Sequence, residues 1–210
     1  MKIRYAVWIL GSAMMTMLCP GEAISAIVTV NIKSSGALSP EDSVVVFDPM
    51  DAAVPPAHIA ATIDQIDKQF VPRVSVLRTG TTVTFTNSDR VRHQGYSFSP
   101  SKIFALKLYA GSPEAPIVFD KSGLVVLGCN IHDRMIAFVA IVDSPYFAKA
   151  PSSGTVSLNL PAGRYRLRVW HPSLVAARPP QEIVVSASPL DIPLTLDLSI
   201  NAPGVAPWPE

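Results

Sequence analysis

Short runs in which Val, Thr, Ile and Phe alternate with polar residues recur along this chain. A period of two puts every second side chain on one face of a β-strand, so each run can bury one face and expose the other. The runs are punctuated by 20 prolines and 11 glycines in 210 residues. The pattern predicts an all-β protein, a sandwich of short strands with little helix.

The predicted strands form three groups along the chain. Residues 27–65, the first flanking group, have two strands followed by a proline-rich loop. Residues 66–147 form a compact central block, and residues 152–199, the second flanking group, have four strands; a connector at 144–154 precedes the last group. Residues 200–210 are rich in proline and have no pattern, which predicts a disordered tail. The predicted strands are 27–32, 43–47, 74–76, 82–86, 117–119, 123–127, 137–142, 155–160, 165–170, 181–185 and 190–198.

The two flanking groups need partners, because an isolated hairpin is marginal in water. Residues 155–167, with the sequence TVSLNLPAGRYRL, resemble the closing strands of carboxypeptidase-regulatory-like sandwiches. The strands around Val28 and Val45 resemble the opening half of the same module. We therefore expect the flanking groups to build a second, smaller β-sandwich that the central block interrupts in sequence. A single enlarged sandwich is the alternative.

The first 26 residues have the composition of a secretory signal peptide. Lys2 and Arg4 precede an apolar run at 5–18, and small residues suited to cleavage follow. We expect this segment to be removed and the mature protein to be periplasmic or secreted. Cys19 lies in this segment, and the residues before it match a lipoprotein signal poorly. No later stretch of the sequence is long and apolar enough to span a membrane.

The mature chain is predicted to be almost neutral. Loss of Lys2, Arg4 and Glu22 leaves 15 basic and 15 acidic side chains of the 17 and 16 in the full sequence. Neither a basic face nor a run of like charges is visible, which argues against nucleic acid as a partner.

Cys129 is the only cysteine that remains once the signal peptide is removed. A lone thiol has no disulfide partner in the chain and is a liability in an oxidising compartment. It is either a buried inert side chain or a metal ligand, and its neighbours favour the second interpretation.

Four residues with metal-binding side chains lie at the ends of predicted strands. Cys129, His132 and Met135 fall in the segment between the strands at 123–127 and 137–142, and His93 follows the strand at 82–86. A thiolate, two imidazoles and a weak axial thioether form a site that holds copper in both oxidation states. The predicted cofactor is one copper ion and the predicted function is electron transfer. Structural zinc prefers four stronger ligands, and c-type haem needs a second cysteine.

These residues resemble the signature of the cupredoxins, the blue copper proteins, and the C-x2-H-x2-M spacing is similar to that of amicyanin. The segments NSD at 87–89, RH at 92–93, YSFS at 96–99, LYAG at 108–111 and GCNIHD at 128–133 resemble bacterial proteins labelled methylamine utilization proteins.

The resemblance implies a Greek-key β-sandwich for the central block. It further implies that His93, Cys129 and His132 are equatorial copper ligands, that Met135 is the axial ligand, and that a redox partner protein exchanges electrons with a monomer. Gln94 departs from the family pattern, which has Asn after the first histidine.

Two other classes of function stay open at this point. An enzyme could use Cys129 as nucleophile and His132 or His93 as base, although no third orienting group is evident in the sequence. Alternatively, the protein could store or deliver copper without redox cycling, or be a β-sandwich module that binds carbohydrate or protein. His58 and His171 are predicted to be structural or solvated.

Overall fold

The computed structural model describes residues 24–55, 59–112 and 115–209. Within these ranges the chain forms sixteen β-strands and no α-helix, which confirms the all-β prediction. No helix long and apolar enough to cross a membrane is found among these residues. The predicted signal peptide, except its last three residues, lies outside the described ranges, as do Cys19 and His58.

The strands pair in four sheets. The sheet orders are β13-β1-β16, β12-β2-β14-β15, β4-β3-β6-β9 and β5-β11-β10-β7-β8. The strands, in chain order, are β1 (Ser25–Ser34), β2 (Val44–Pro49), β3 (Ala60–Ile66), β4 (Gln69–Val71), β5 (Val74–Arg78), β6 (Thr81–Phe85), β7 (Tyr96–Ser99), β8 (Lys102–Ala105), β9 (Ile117–Phe119), β10 (Gly123–Gly128), β11 (Ile136–Val142), β12 (Tyr146–Lys149), β13 (Thr155–Pro161), β14 (Gly163–Trp170), β15 (Gln181–Val185) and β16 (Leu190–Leu196).

Every predicted strand overlaps one of these, and β3, β4, β7, β8 and β12 were not predicted. Strands β4, β7, β8 and β12 have only three or four residues, too few to show a period. The apolar alternation of β3 is broken by Gln65, a polar side chain on its buried face.

Two of these strands depart from the predicted grouping of the chain. β3 was assigned to the first flanking group but pairs in parallel with β6 of the central block. β12 lies in the predicted connector but pairs with β2. Strands of the two flanking groups do share sheets, since β1 pairs with β13 and β16, and β2 with β14. The division into two domains stays a prediction.

β2 is buried on both faces, which explains its continuous apolar run VVVF. Val45 and Phe47 join a hydrophobic cluster with strands of the flanking groups, including Val28 and Val30 of β1. Val44 and Val46 face the opposite way and join a cluster with Val74, Phe138, Ala140 and Trp170. The second cluster therefore connects the flanking strands with β5 and β11 of the central block. β11 directly follows the segment that contains Cys129, His132 and Met135.

Residues 206–209 contact β14, although the sequence predicts a disordered tail at 200–210. Trp170 Nε1 donates a hydrogen bond to the carbonyl oxygen of Ala206 at 2.9 Å. Arg168 lies over the Trp208 ring, 5.1 Å from its centroid, and Nη1 donates to the Pro209 carbonyl at 3.3 Å. One buried tryptophan and its neighbours thus order a segment that has no periodic pattern.

His171 is a structural residue, in agreement with the sequence analysis. Its Nε2 donates to the Glu41 carbonyl oxygen at 2.9 Å, and its Nδ1 accepts from the Ser173 backbone N–H at 3.0 Å. Burial lowers the pKa of His171. Both ring nitrogens are engaged in the neutral form, so a second ring proton would face the Ser173 N–H.

The free energy of unfolding should therefore depend on the protonation of His171. Because the unfolded chain binds the proton more readily, the folded state loses stability as the pH falls through about 6.5, by at most about 1.4 kcal/mol per pH unit. Urea unfolding of the wild type and His171→Gln, at several pH values between about 5 and 8, measures the difference. Parallel pH profiles for the two proteins would contradict this assignment.

Candidate metal centre

A short loop between β10 and β11 carries three of the four predicted ligands. β10 ends at Gly128, immediately before Cys129, and β11 begins at Ile136, immediately after Met135. The two strands pair along their whole length, from Gly123–Ile141 to Gly128–Ile136. The loop is further closed by a hydrogen bond from the Met135 N–H to the His132 carbonyl oxygen at 2.9 Å. Both of its ends are therefore fixed by one hairpin.

His93 comes from the connection between β6 and β7 and not, as predicted, from the end of a strand. This connection is held by a two-way backbone bridge in which His93 and Tyr109 exchange N–H···O bonds of 3.0 and 2.9 Å. Asn87 closes it from the other side. Its Nδ2 donates to the carbonyl oxygens of Val91 and Tyr109, both at 2.9 Å.

The structure brings His93, Cys129 and His132 together. One ligand atom from each of the three lies within 4.8 Å of the other two. His93 Nδ1 is 3.8 Å from Cys129 Sγ, and the two imidazole rings have centroids 5.0 Å apart. The fold thus brings His93 and Cys129, which are 36 residues apart in the sequence, close together in space, as the predicted site requires.

His132 Nδ1 is buried and has no hydrogen-bond partner among the described residues. A buried ring nitrogen without a partner loses its hydration and gains nothing in return, at a cost of about 1–3 kcal/mol. His132 also lies beside a thiol and a second imidazole, so its ring can offer a nitrogen to a metal ion. The donor set of one sulfur and two imidazoles fits copper by its chemistry.

Met135, the predicted axial ligand, is the last residue before β11. Its side chain is buried and belongs to the same hydrophobic cluster as Cys129. It follows His132 in the same loop, so it has the same two strands as its support. Its role as a ligand stays a prediction.

Asp89 contacts the far side of His93, a feature that the sequence analysis missed. Its Oδ2 is 2.7 Å from His93 Nε2, four residues further along the chain. The Lys68 N–H donates to Oδ2 at 2.9 Å and the Asp67 N–H donates to Oδ1 at 2.8 Å. These bonds, that of Lys68 first, lower the pKa of Asp89. Asp89 is therefore a third group, next to Cys129 and His93, that can orient the His93 ring. No such group was evident in the sequence.

A second carboxylate, Asp64, holds the same connection without touching a histidine. It accepts hydrogen bonds from the N–H groups of Gln65 at 2.8 Å and Ser88 at 3.2 Å, and from Ser88 Oγ at 2.7 Å. Gln65 Nε2 in turn donates to the hydroxyl of Tyr109. Burial raises the pKa of Tyr109, so this phenol stays protonated. Through these polar contacts, β3 holds the β6–β7 connection at Ser88 and the β8–β9 connection at Tyr109.

Asn87 bridges the β6–β7 connection, which carries His93, and the β8–β9 connection, which carries Tyr109. Among the described residues the Gln94 side chain has no hydrogen bond, whereas Asn87 ties the two connections together and also accepts the Asp89 N–H at 3.0 Å.

Replacement of Asn87 by alanine should lower the free energy of unfolding by about 1–3 kcal/mol. The Val91 carbonyl oxygen loses its side-chain donor, the Tyr109 carbonyl oxygen keeps only the His93 N–H, and the Asp89 N–H loses its acceptor. The measurement is urea unfolding of the metal-free protein. Asn130→Ala is the matched control. The Asn130 side chain is exposed in the loop between β10 and β11 and makes no hydrogen bond within the described ranges, so its loss should change stability by less than about 0.5 kcal/mol. Equal losses in the two variants would contradict the bridging role.

Comparison with known proteins gives matches among solved structures alone. No protein-family model matches the chain, and no curated protein does. A purple cupredoxin from Nitrosopumilus maritimus is 23% identical, covers 39% of this chain and 99% of its own, and has a TM-score of 0.35. A reduced amicyanin variant is 17% identical over 46% of this chain and 98% of its own, with a TM-score of 0.34.

A copper-containing nitrite reductase from Thermus scotoductus SA-01 is 22% identical over 55% of this chain and 29% of its own, with a TM-score of 0.37. The solved structures that are similar to this chain thus include cupredoxins, the family that its sequence resembles.

Proposed function

We propose that this protein binds one copper ion through His93, Cys129 and His132, with Met135 as a weak axial ligand, and that it carries electrons for a redox partner protein in the periplasm. The observation that carries the proposal is that one ligand atom each of His93, Cys129 and His132 lies within 4.8 Å of the other two. The buried Nδ1 of His132, which has no hydrogen-bond partner among the described residues, supports it. A copper ion held there would exchange one electron by moving between its two oxidation states.

The surrounding residues keep the ligand atoms in one arrangement. Cys129 and His132 are tethered between two fully paired strands, and His93 is bridged to Tyr109. Loops held in this way resist displacement, so the ligands cannot rearrange freely when the charge at the site changes. Such resistance favours fast electron exchange, because little of the protein must move with the electron.

Burial of the site supports electron transfer over substrate chemistry. Cys129 is 5% exposed and His93 is fully buried, whereas His132 is half-buried. An electron can pass through an imidazole edge, while a substrate must reach the reacting atom itself. The ring of His132 is therefore the route by which we expect a partner to exchange electrons.

The test is a copper titration of the purified mature protein followed by visible and electron paramagnetic resonance spectroscopy and by repeated reduction and reoxidation. We expect one equivalent to bind, an intense thiolate-to-copper absorption, and full recovery of the spectrum in each cycle. His171→Gln, which alters a histidine outside the site, is the control and should bind equally. Tight binding without cycling would favour storage or delivery and contradict the proposal.

A cysteine enzyme is the second candidate, because Asp89, His93 and Cys129 are connected in a row. Asp89 Oδ2 is 2.7 Å from His93 Nε2, and His93 Nδ1 is 3.8 Å from Cys129 Sγ. Such a row could activate a thiol as a nucleophile. It predicts rapid alkylation of Cys129 by iodoacetamide in the metal-free protein at neutral pH, whereas a buried copper ligand should react slowly until the protein unfolds.

A further inference from the structure

We infer that Asp89 is the positioning residue of the metal centre: it selects the tautomer of His93 and anchors that ring to the turn between β3 and β4. The inference rests on the proposed function and adds a residue and a segment to the site. It starts from the 2.7 Å contact between Asp89 Oδ2 and His93 Nε2.

The chemistry of the two groups determines where the proton lies. An ionised carboxylate can only accept hydrogen bonds, so His93 Nε2 must carry the hydrogen. A neutral imidazole has one donor and one acceptor, which leaves a lone pair on Nδ1. Nδ1 is the atom that lies 3.8 Å from Cys129 Sγ. Asp89 thus turns the lone pair of His93 toward the other ligands before any metal arrives.

The Asp89 carboxylate is itself held in place. The backbone N–H groups of Asp67 and Lys68 converge on its two oxygens at 2.8 and 2.9 Å. Both residues have positive φ angles, 51° and 60°, which are uncommon for side chains other than glycine. The turn between β3 and β4 accepts this conformation and presents two adjacent donors to one carboxylate. Two successive positive φ angles are what a two-residue type I′ hairpin turn requires, so the pairing of β3 with β4 holds these donors in place.

Burial strengthens the contact. The His93 side chain is fully buried and that of Asp89 is 13% exposed, so water competes little for the bond between them. The row from the Lys68 N–H through Asp89 to His93 therefore links a surface turn with the predicted first ligand. A displacement of the turn would be transmitted to the ring.

Removal of the charge should weaken the oxidised site more than the reduced one. Carboxylates that hold a ligating histidine typically contribute about 10–100-fold to metal affinity. The negative charge favours the ion of higher charge, so Asp89→Asn should lose affinity for Cu(II) to a greater extent than for Cu(I). If Cu(II) affinity alone falls tenfold, the reduction potential rises by about 59 mV.

The experiment compares Asp89→Asn with Asp64→Asn. Asp64 also accepts three hydrogen bonds from the chain, two of them from Ser88, but it does not contact His93. Both variants lose a carboxylate that holds the same connection, so a purely structural role would affect them alike. Three quantities are measured: the ring nitrogen shifts of His93 by ¹⁵N NMR without metal, the Cu(II) affinity, and the reduction potential.

We expect the metal-free wild type to show His93 protonated at Nε2, Asp89→Asn to lose this preference and about 10–100-fold in Cu(II) affinity, and Asp64→Asn to keep both. A wild-type His93 protonated at Nδ1, which can be observed even if Asp89→Asn does not fold, would overturn the inference. So would equal affinities and potentials in the two variants. A wild type that shows the Nε2 proton but binds no copper would refute the proposed function and leave the Asp89–His93 assignment standing.

Discussion

Replacement of Cys129 by serine is expected to abolish the intense visible absorption of the copper-loaded protein. That absorption comes from charge transfer between the thiolate sulfur and copper, and a serine hydroxyl has no thiolate to supply it. Serine is also a hard, protonated donor at neutral pH, whereas Cu(I) prefers soft sulfur. Loss of a residue that only supports a metal ligand can lower metal affinity by roughly 100-fold. Because Cys129 is itself a predicted ligand, we expect its replacement to lower Cu(I) affinity by more than that.

The substitution changes one atom in a side chain that is buried among apolar residues, so the fold should survive it. Cys129 is the only free cysteine among the described residues, which keeps thiol chemistry elsewhere in that region from confusing the result. Circular dichroism and urea unfolding of the metal-free variant are the controls. A variant that kept the visible band would show that the sulfur is not a ligand.

Replacement of Trp170 by alanine should have the largest effect on stability, a loss of about 3–5 kcal/mol. Its side chain is fully buried, its ring lies 5.6 Å from that of Phe138 and 6.3 Å from that of Trp208, and its Nε1 donates to Ala206. The cluster that it fills joins β2 and β14 with β5 and β11. A cavity there should destabilise the whole protein, because β5 and β11 of the central block lose the Trp170 side chain in the cluster that they share.

Phe98→Ala is the matched control, since it removes an aromatic ring that is 76% exposed on β7. We expect that variant to lose less than about 1 kcal/mol. Urea unfolding monitored by circular dichroism measures both variants. Similar losses in the two would mean that the cluster around Trp170 contributes little, contrary to its burial.

The loop that carries Cys129, His132 and Met135 and most strands could be predicted because both depend on local sequence. Cys129, His132 and Met135 are close in sequence, and long strands such as β1, β14 and β16 alternate between buried and exposed residues with a period of two. His93 could be predicted as a partner from its residue type and its resemblance to a family, although the structure places it in a connection and not at the end of a strand. Its approach to Cys129 depends on the pairing of distant strands.

The contacts around the site were less accessible to sequence reasoning. Asp89 is four residues before His93, but this spacing does not imply contact outside a helix. The turn at Asp67 and Lys68 lies 22 and 21 residues upstream of Asp89. The same holds for the end of the chain. Trp208 and Ala206 contact Arg168 and Trp170, and such contacts leave no periodic signal.

The most direct test of this account is a crystal structure of the copper-loaded mature protein with anomalous diffraction measured on both sides of the copper absorption edge. We expect one copper peak, bonded to Nδ1 of His93, Sγ of Cys129 and a ring nitrogen of His132. A copper peak elsewhere in the protein, or no peak between these three side chains at full loading, would contradict it.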